Sequence, residues 1–274
     1  MWKNIVFRNL YLLVYSIFCK TKCSYKGLNG KTVKILANGP SLKMELDNLL
    51  DTDSTCVLNF FCLDKHFWQI KPQYYVLADH AFFIGKKTSN VEKLYDTISR
   101  IDWNITFYVP LKYYSIFKDR SGLNENISIK TFYRCPILHK YIPRCFEYYL
   151  FRKGISGPAA MNVLIPSVFV MLNEGYEMIY LYGADHSWMT QLAVNMDNQL
   201  CIRDSHFYDK GEAKLKPWQL SNGKNYRLVE VLNDWTETFL MYHVLQSYRN
   251  HKRMGTIINM TKGSFIDAFD KVSN

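Results

Sequence analysis

An apolar run that stops abruptly at a glycine and a proline constrains the fold of this chain most. The run covers residues 33–37 and leads into the turn at residues 38–41, Asn-Gly-Pro-Ser. A short apolar run bounded by turn residues is typical of a buried strand that ends in a sharp turn. Ser41 lies where it would cap a helix that begins near Leu42, with Glu45 close to the capping-box distance. The segment therefore predicts a buried strand, a turn and a helix.

Similar apolar runs recur along the chain at the intervals of alternating strands and helices. Predicted strands cover residues 33–37, 55–59, 74–78, 105–109, 127–132, 177–182 and 256–259. Predicted helices cover residues 42–50, 90–100, 156–175 and 229–250, and residues 186–227 have the low periodicity of an irregular lid. With 274 residues the chain can bury one large core. We therefore predict a single Rossmann-like α/β domain with a mostly parallel sheet at residues 29–274.

Polar side chains follow four of the predicted strands, namely Asn38, Asn59, Asp79 and Asp185. The carboxyl ends of parallel strands meet at one edge of the sheet, where open α/β proteins bind their ligands. Because the first turn lacks both the dinucleotide fingerprint and the Lys-Ser/Thr of a P-loop, it predicts a nucleotide site of another kind. The alternative is that the first turn only links a strand to a helix, and that Asp185 only caps the turn that follows its own strand.

A second phosphate-binding segment is predicted where Ser156 and Gly157 precede an apolar helix. Arg152 and Lys153 add two cations just before it. Backbone N–H groups at a helix start bind anions, and nearby cations strengthen such a site. The alternative is a plain helix cap.

Residues 204–209 of the predicted lid, Asp-Ser-His-Phe-Tyr-Asp, place a histidine between two carboxylates. Histidine is the natural general base near neutral pH, and a flanking carboxylate orients it and raises its basicity. We predict that His206 is the base and that Asp204 or Asp209 tunes it. His186, next to the strand end at Asp185, is the second candidate, with a structural role as its alternative.

The composition favours an anionic partner and a reducing compartment. The formal net charge is +10 and the pI is about 9.1, which favours negatively charged ligands. The chain has no arginine-rich run and no zinc-knuckle spacing, so no nucleic-acid partner is predicted. Seven cysteines at irregular spacing predict reduced thiols and a cytoplasmic protein without a cysteine-based metal site.

Residues 1–28 form a separate segment that is aromatic-rich and basic. Its longest uncharged run, residues 9–19, is too short to span a bilayer comfortably, and no signal-peptide cleavage site follows. An amphipathic helix in the membrane interface, at the inner face of the cell membrane, fits this pattern, with residues 1–26 in peripheral contact. A helix packed on the domain is the alternative.

Three motifs together resemble a known enzyme family. These are residues 38–42 (Asn-Gly-Pro-Ser-Leu), residues 155–157 (Ile-Ser-Gly) and residues 175–185 (Gly-Tyr-Glu-Met-Ile-Tyr-Leu-Tyr-Gly-Ala-Asp). In this order they are similar to the bacterial family 42 sialyltransferases. They also resemble a wider group, which includes hydroxymethylpterin diphosphokinase-like and flagellin-glycosylation accessory proteins.

The family 42 resemblance implies a Rossmann-like domain of the GT-A-variant type, a CMP-sugar donor and transfer without a metal ion or cofactor. Carried over by motif, the donor-binding residues are Asn38, Gly39, Ser41, Asn59, Ser156 and Gly157, with Tyr208 as a candidate for the donor phosphate. Pro40, Asp79 and Asp185, from the first turn and the strand ends, complete the predicted nucleotide site. The family has an asparagine near Asp79, and its catalytic histidine falls at Lys210 here, so this chain departs from the pattern at both points.

The predicted function is transfer of a sialic acid-like or Kdo-like sugar from CMP to a bacterial surface glycan or a lipid-linked precursor. Two alternatives remain open. One is a Mg²⁺-dependent pyrophosphokinase or phosphotransferase with Asp79 and Asp185 as metal ligands. The other is an accessory protein that binds nucleotide or glycan without catalysis.

Overall fold

One large parallel sheet with helices on both faces forms the body of the protein. The computed structural model describes residues 11, 14–49, 54–85, 88–122, 124–133, 142–159, 161–203, 215–220 and 223–272. Within these ranges the predicted Rossmann-like α/β fold class is confirmed.

The chain contributes strands to two sheets. The strands are β1 (Thr32–Leu36), β2 (Ser54–Leu58), β3 (Tyr74–Val76), β4 (Ile105–Pro110), β5 (Ile127–Phe132), β6 (Met178–Tyr182), β7 (Leu192–Val194), β8 (Leu200–Ile202), β9 (Lys216–Pro217), β10 (Thr256–Asn259) and β11 (Asp270–Lys271). All seven predicted strands are present, with ends within two residues of the prediction.

The order of the main sheet is β11-β10-β6-β1-β2-β3-β4-β5, and every neighbouring pair is parallel. The chain moves outward from β1 to β5 on one side and then returns to place β6 on the other side of β1. The direction of winding therefore reverses between β1 and β6. In open α/β folds, the crevice at such a reversal is the usual ligand site.

Helices cover both faces of this sheet. They are α1 (His66–Ile70), α2 (Ser89–Ser99), α3 (Tyr114–Ser121), α4 (Arg144–Arg152), α5 (Leu164–Glu174) and α6 (Leu228–Lys252). Side chains of β1 alternate between two buried layers: Val33 and Ile35 pack with α5 and α6, whereas Leu36 packs with α2 and α3. The described short 3-10 helices are Pro40–Met44, Leu46–Leu49, Phe61–Leu63, His80–Phe82, Leu111–Tyr113 and Trp188–Gln191.

Two predicted helices differ from the structure. The helix predicted at 42–50 is a pair of 3-10 turns, and the first has Gly39, not Ser41, at its N-cap. The capping prediction for Ser41 is wrong because its hydroxyl donates to Asp185 instead. The helix predicted from Ser156 begins at Leu164.

The predicted irregular lid contains a second, small sheet. β8 pairs antiparallel with both β7 and β9. This sheet packs against the start of α6, where Leu200, Val231 and Trp235 form a buried apolar cluster. Its strands are only two or three residues long, so no hydrophobic period marks them.

The N-terminal segment is anchored to the domain. Residues 14–18 are helical, and the Ser16 hydroxyl donates to the Ile155 carbonyl at 2.9 Å. Farther along, the buried carboxylate of Glu174 accepts hydrogen bonds from Lys26, Lys130 and Tyr108. None of the described helices has both the length and the apolarity to cross a membrane. The predicted boundary after residue 28 stays a prediction.

Candidate functional site

A cleft of about 650 Å³ opens at the carboxyl edge of the main sheet, where the winding reverses. Strand ends from both halves of the sheet contribute to its wall. The predicted site residues that line it are Asn38, Gly39, Pro40, Asn59, Asp79, Asp185 and His186. The predicted convergence of polar strand ends is therefore present in the structure.

The turn after β1 is bonded to the end of β6. Asp185 accepts a hydrogen bond from the Ser41 hydroxyl at 2.8 Å and another from the Ser41 backbone N–H at 3.3 Å. A Cβ atom on Gly39 would lie 1.9 Å from Asp185 Oδ2 and 2.4 Å from the Gly183 carbonyl oxygen. Only glycine therefore fits at position 39.

Asn38 and Asn59 present side-chain oxygens for which no hydrogen-bond donor is found among the described residues. Both Oδ1 atoms are buried, and both residues line the cleft. Asn38 is held by a bond from its Nδ2 to the Leu58 carbonyl at 3.2 Å. Asn59 has a left-handed backbone with φ 46°, and the Tyr75 hydroxyl donates to its carbonyl. The fold thus fixes both asparagines in the cleft wall, with acceptor oxygens for which the described residues supply no donor.

Gln191 adds a third oxygen of the same kind. It ends the 3-10 helix after β6 and lines the cleft, and its Oε1 is buried without a described donor. In the described part of the chain four buried side-chain oxygens lack a donor, and three of them line this cleft. A buried acceptor left unpaired costs about 1–3 kcal/mol, which a donor that reached the oxygen would offset.

Charge is divided across the cleft. Asp79 and Asp185 lie on the sheet side, and Lys216 lies on the side of the small sheet. Asp79 also caps the following 3-10 turn by accepting from the Ala81 N–H at 2.9 Å. Burial raises the pKa of Glu45, and the Asp185 carboxylate raises it further. Lys262 opposes this shift, so charges of both signs surround the turn.

His186 is held in a strained, buried position. Its backbone is left-handed with φ 51°, and its Nε2 hydrogen-bonds the Tyr242 hydroxyl and lies 3.2 Å from Asn162 Nδ2. Burial lowers the pKa of His186 to about 3, so the ring is neutral near pH 7 and is a weak base. These contacts favour a positioning role, and a proton-accepting role stays a prediction.

The second predicted phosphate segment does not reach the cleft. Ser156 is buried in an irregular stretch eight residues before α5 begins. A Cβ atom on Gly157 would meet the Tyr133 carbonyl oxygen at 2.6 Å, so this glycine serves close backbone packing. Lys153 lies over the Tyr149 ring at 5.8 Å. The helix start predicted at Ser156 is wrong, because α5 begins at Leu164. The ligand-binding role of Ser156 and Gly157 stays a prediction.

The four predicted lid residues Asp204, His206, Tyr208 and Asp209 lie outside the described residues. Their assigned roles stay predictions. Among the described residues, no three histidine, cysteine or carboxylate side chains lie close enough together to hold a metal ion.

Several cleft residues were not predicted from the sequence. Asn162 lies just before α5, and Trp188, Gln191 and Lys216 come from the lid. Trp188 directly follows Asp185-His-Ser at the end of a predicted strand, and this position could have indicated that it lies near the cleft. The other three follow no predicted strand end, so no motif indicated them.

Comparison with known proteins gives matches of structure only. No protein-family model and no curated protein matches the sequence. The chain is similar to the structure of the MAf glycosyltransferase from Magnetospirillum magneticum AMB-1, with a TM-score of 0.47 and 13% identity. That match covers 97% of this chain and 38% of the other, so this chain spans well under half the length of that protein.

A second similar structure is the sialyltransferase CstII from Campylobacter jejuni in complex with a substrate analogue, cytidine-5'-monophosphate. The TM-score is 0.44 and the identity is 16%. The match covers 90% of this chain and 87% of the other.

Proposed function

We propose that this protein is a glycosyltransferase that takes a sialic acid-like or Kdo-like sugar from a CMP donor. The observation that carries the proposal is the cleft at the winding reversal, whose wall includes the amide side chains of Asn38, Asn59 and Gln191. A nucleoside monophosphate has donors for such a set, because cytosine carries an exocyclic amine and ribose carries hydroxyls. The cleft lies at the winding reversal, where open α/β folds bind nucleotides.

The phosphate of the donor is assigned to the side of the cleft that carries Lys216. Asp79 and Asp185 make the opposite side unfavourable for an anion, because like charges repel. Tyr208, outside the described residues, is proposed to add a hydroxyl donor to the leaving phosphate.

The transfer step needs a base for the acceptor. The acceptor oxygen bonds to the anomeric carbon of the donor sugar as the bond from that carbon to the CMP phosphate oxygen breaks. CMP leaves with the electron pair of that bond, and the acceptor proton passes to the base. We assign this base to His206, with Asp204 or Asp209 as its partner.

The acceptor is proposed to be a bacterial surface glycan or its lipid-linked precursor. The N-terminal segment supports contact with a membrane surface, because its described helix leaves aromatic rings in solvent. Phe18 is 78% exposed and Tyr11 is 67% exposed, and Lys20 and Lys22 follow closely. Interfacial binding uses this combination of aromatic and basic side chains.

Release of CMP from CMP-sialic acid and from CMP-Kdo tests the enzyme directly. The expected result is saturable release by the full chain in the presence of EDTA, lost in His206→Ala and retained in His243→Ala. His243 is 53% exposed in its side chain and does not line the cleft. Activity that requires ATP and Mg²⁺ would favour the phosphotransferase, and nucleotide binding without turnover would favour the accessory protein.

A further inference from the structure

A second cavity, of about 560 Å³, lies between the small sheet and the start of α6. It adjoins the cleft. Its walls are rich in aromatic rings: Trp188, Trp218, Trp235 and Tyr226 all line it. Trp188 and Trp235 stack at 5.9 Å between ring centroids, and Trp218 lies 5.3 Å from Tyr226. Three indoles and a phenol therefore surround one open space.

Polar groups are placed among these rings. Asp234 lines the cavity and accepts a hydrogen bond from the Tyr226 hydroxyl at 2.9 Å, and Gln219 and Thr238 line it as well. For the three indole N–H groups, no acceptor is found in the described part of the chain. The Gln219 amide donates to Asn225 Oδ1 at 3.2 Å and the Thr238 hydroxyl donates to the Asp234 carbonyl at 2.9 Å, so these polar groups are held in place. Their remaining acceptor atoms lie beside flat apolar faces, as in small-molecule sites.

The two cavities share a wall. Met161, Asn162, Trp188 and Lys216 line both of them. A ligand in the aromatic cavity would therefore lie beside the side of the cleft to which the donor phosphate is assigned. A transferase needs its acceptor hydroxyl next to the reacting carbon of the donor, and adjoining cavities supply that arrangement.

We propose that the aromatic cavity binds a neutral pyranose ring of the acceptor glycan. One face of such a ring carries C–H groups, which pack on the electron-rich faces of indoles, and its hydroxyls pair with carboxylate, amide and indole N–H groups. This assignment rests on the proposed function for the identity of the donor. The saccharide-binding property itself depends only on the aromatic cavity.

Saturation-transfer NMR on the full chain tests this assignment with the methyl glycosides of glucose, galactose and N-acetylglucosamine at millimolar concentration. The expected result is transfer to the ring C–H protons of at least one glycoside. We expect Trp218→Ala to reduce the signal at least about tenfold. Trp218→Phe keeps a ring and restores part of the signal. The control Trp68→Ala, which removes a 37% exposed indole on α1, leaves it unchanged.

CMP affinity, measured on the same samples, separates this inference from the proposed function. CMP binding with no glycoside signal, or with a signal that Trp218→Ala leaves intact, overturns the acceptor site and leaves the donor site standing. A glycoside signal that depends on Trp218 in a protein that binds no CMP supports the saccharide site and contradicts the proposed donor.

Discussion

Asp185 Oδ2 accepts a hydrogen bond from the Ser41 hydroxyl at 2.8 Å, and this contact joins the ends of β1 and β6. These two strands flank the point where the winding of the sheet reverses. The bond therefore fixes, relative to each other, the two segments that follow these strands at the cleft. Its removal is expected to affect the stability of the domain as well as the site.

Ser41→Ala removes the hydroxyl and leaves the carboxylate with a weaker backbone contact. We expect the free energy of unfolding to fall by about 1–2 kcal/mol, because a hydrogen bond to a charged acceptor is lost. Urea denaturation measures the change. Ser99→Ala is the matched control, since that hydroxyl also donates at 2.8 Å but on an exposed helix end, and its effect should stay within about 0.5 kcal/mol. Equal effects of the two variants would contradict a special role for the Ser41–Asp185 bond.

Gly39→Ala tests the close approach of the first turn to β6. The new methyl group would overlap Asp185 and the Gly183 carbonyl, so we expect a loss of at least about 2 kcal/mol, or no folded protein. The control Gly122→Ala has φ +72° but no atom within 4 Å of the new group, and should cost about 1 kcal/mol. Differential scanning calorimetry of both variants measures these losses of stability. A Gly39→Ala protein as stable as the wild type would rule out the turn geometry described here.

His186 makes stability depend on pH. The ordinary pKa of 6.5 falls to about 3 in the folded protein because burial disfavours the charged ring. Between these values the unfolded chain binds the extra proton, so stability is complete above pH 6.5 and is lost as the pH falls. From pH 7 to pH 5.5 this histidine alone should remove about 1 kcal/mol from the free energy of unfolding.

The substitution His186→Asn isolates this contribution, because asparagine tolerates the left-handed backbone. The variant should lose less stability than the wild type between these pH values in urea titrations. His243→Asn, which changes an exposed histidine paired with Asp267, should keep the dependence of the wild type. If the free energy of unfolding changed equally with pH in all three proteins, His186 would not be a buried neutral group.

The N-terminal aromatic side chains are expected to bind anionic membrane surfaces. Phe18→Ser should reduce co-sedimentation of the full chain with vesicles that contain phosphatidylglycerol, since it removes the most exposed of these rings. Phe265→Ser, which changes a 42% exposed ring elsewhere, is the control and should sediment like the wild type. Sedimentation that does not depend on Phe18, or no sedimentation at all, would contradict the membrane proposal.

The sequence predicted the frame of this fold well because buried parallel strands are marked by continuous apolar runs and sharp ends. The turn at Gly39 and the strand end at Asp185 were both recognisable, and they meet in the structure. The start of α5 was misplaced because the apolar signal begins at Ser156, long before the helix. Pro166 lay inside the helix predicted at 156–175; in the structure it is the third residue of α5, where a missing N–H costs no helical bond.

The rest of the site depends on contacts that no local pattern carries. Gln191 and Lys216 reach the cleft from the small antiparallel sheet and its flanking turn. Gln191 lies in a 3-10 turn and β9 has only two residues, so neither segment shows alternation. Asn162 bonds Tyr242, 80 residues later, which only the folded chain reveals.

The central claim is that the cleft binds the nucleotide of the donor. Calorimetric titration with CMP in EDTA tests it most directly, with the wild-type full chain compared with the variants Gln191→Met and Gln246→Met. Both glutamines carry a buried oxygen without a described donor, but only Gln191 lines the cleft. We predict that the wild type and Gln246→Met bind CMP equally without metal, and that Gln191→Met binds about tenfold more weakly. No CMP binding by the wild type, or equal affinity in all three proteins, would contradict the assignment of this cleft to the nucleotide donor.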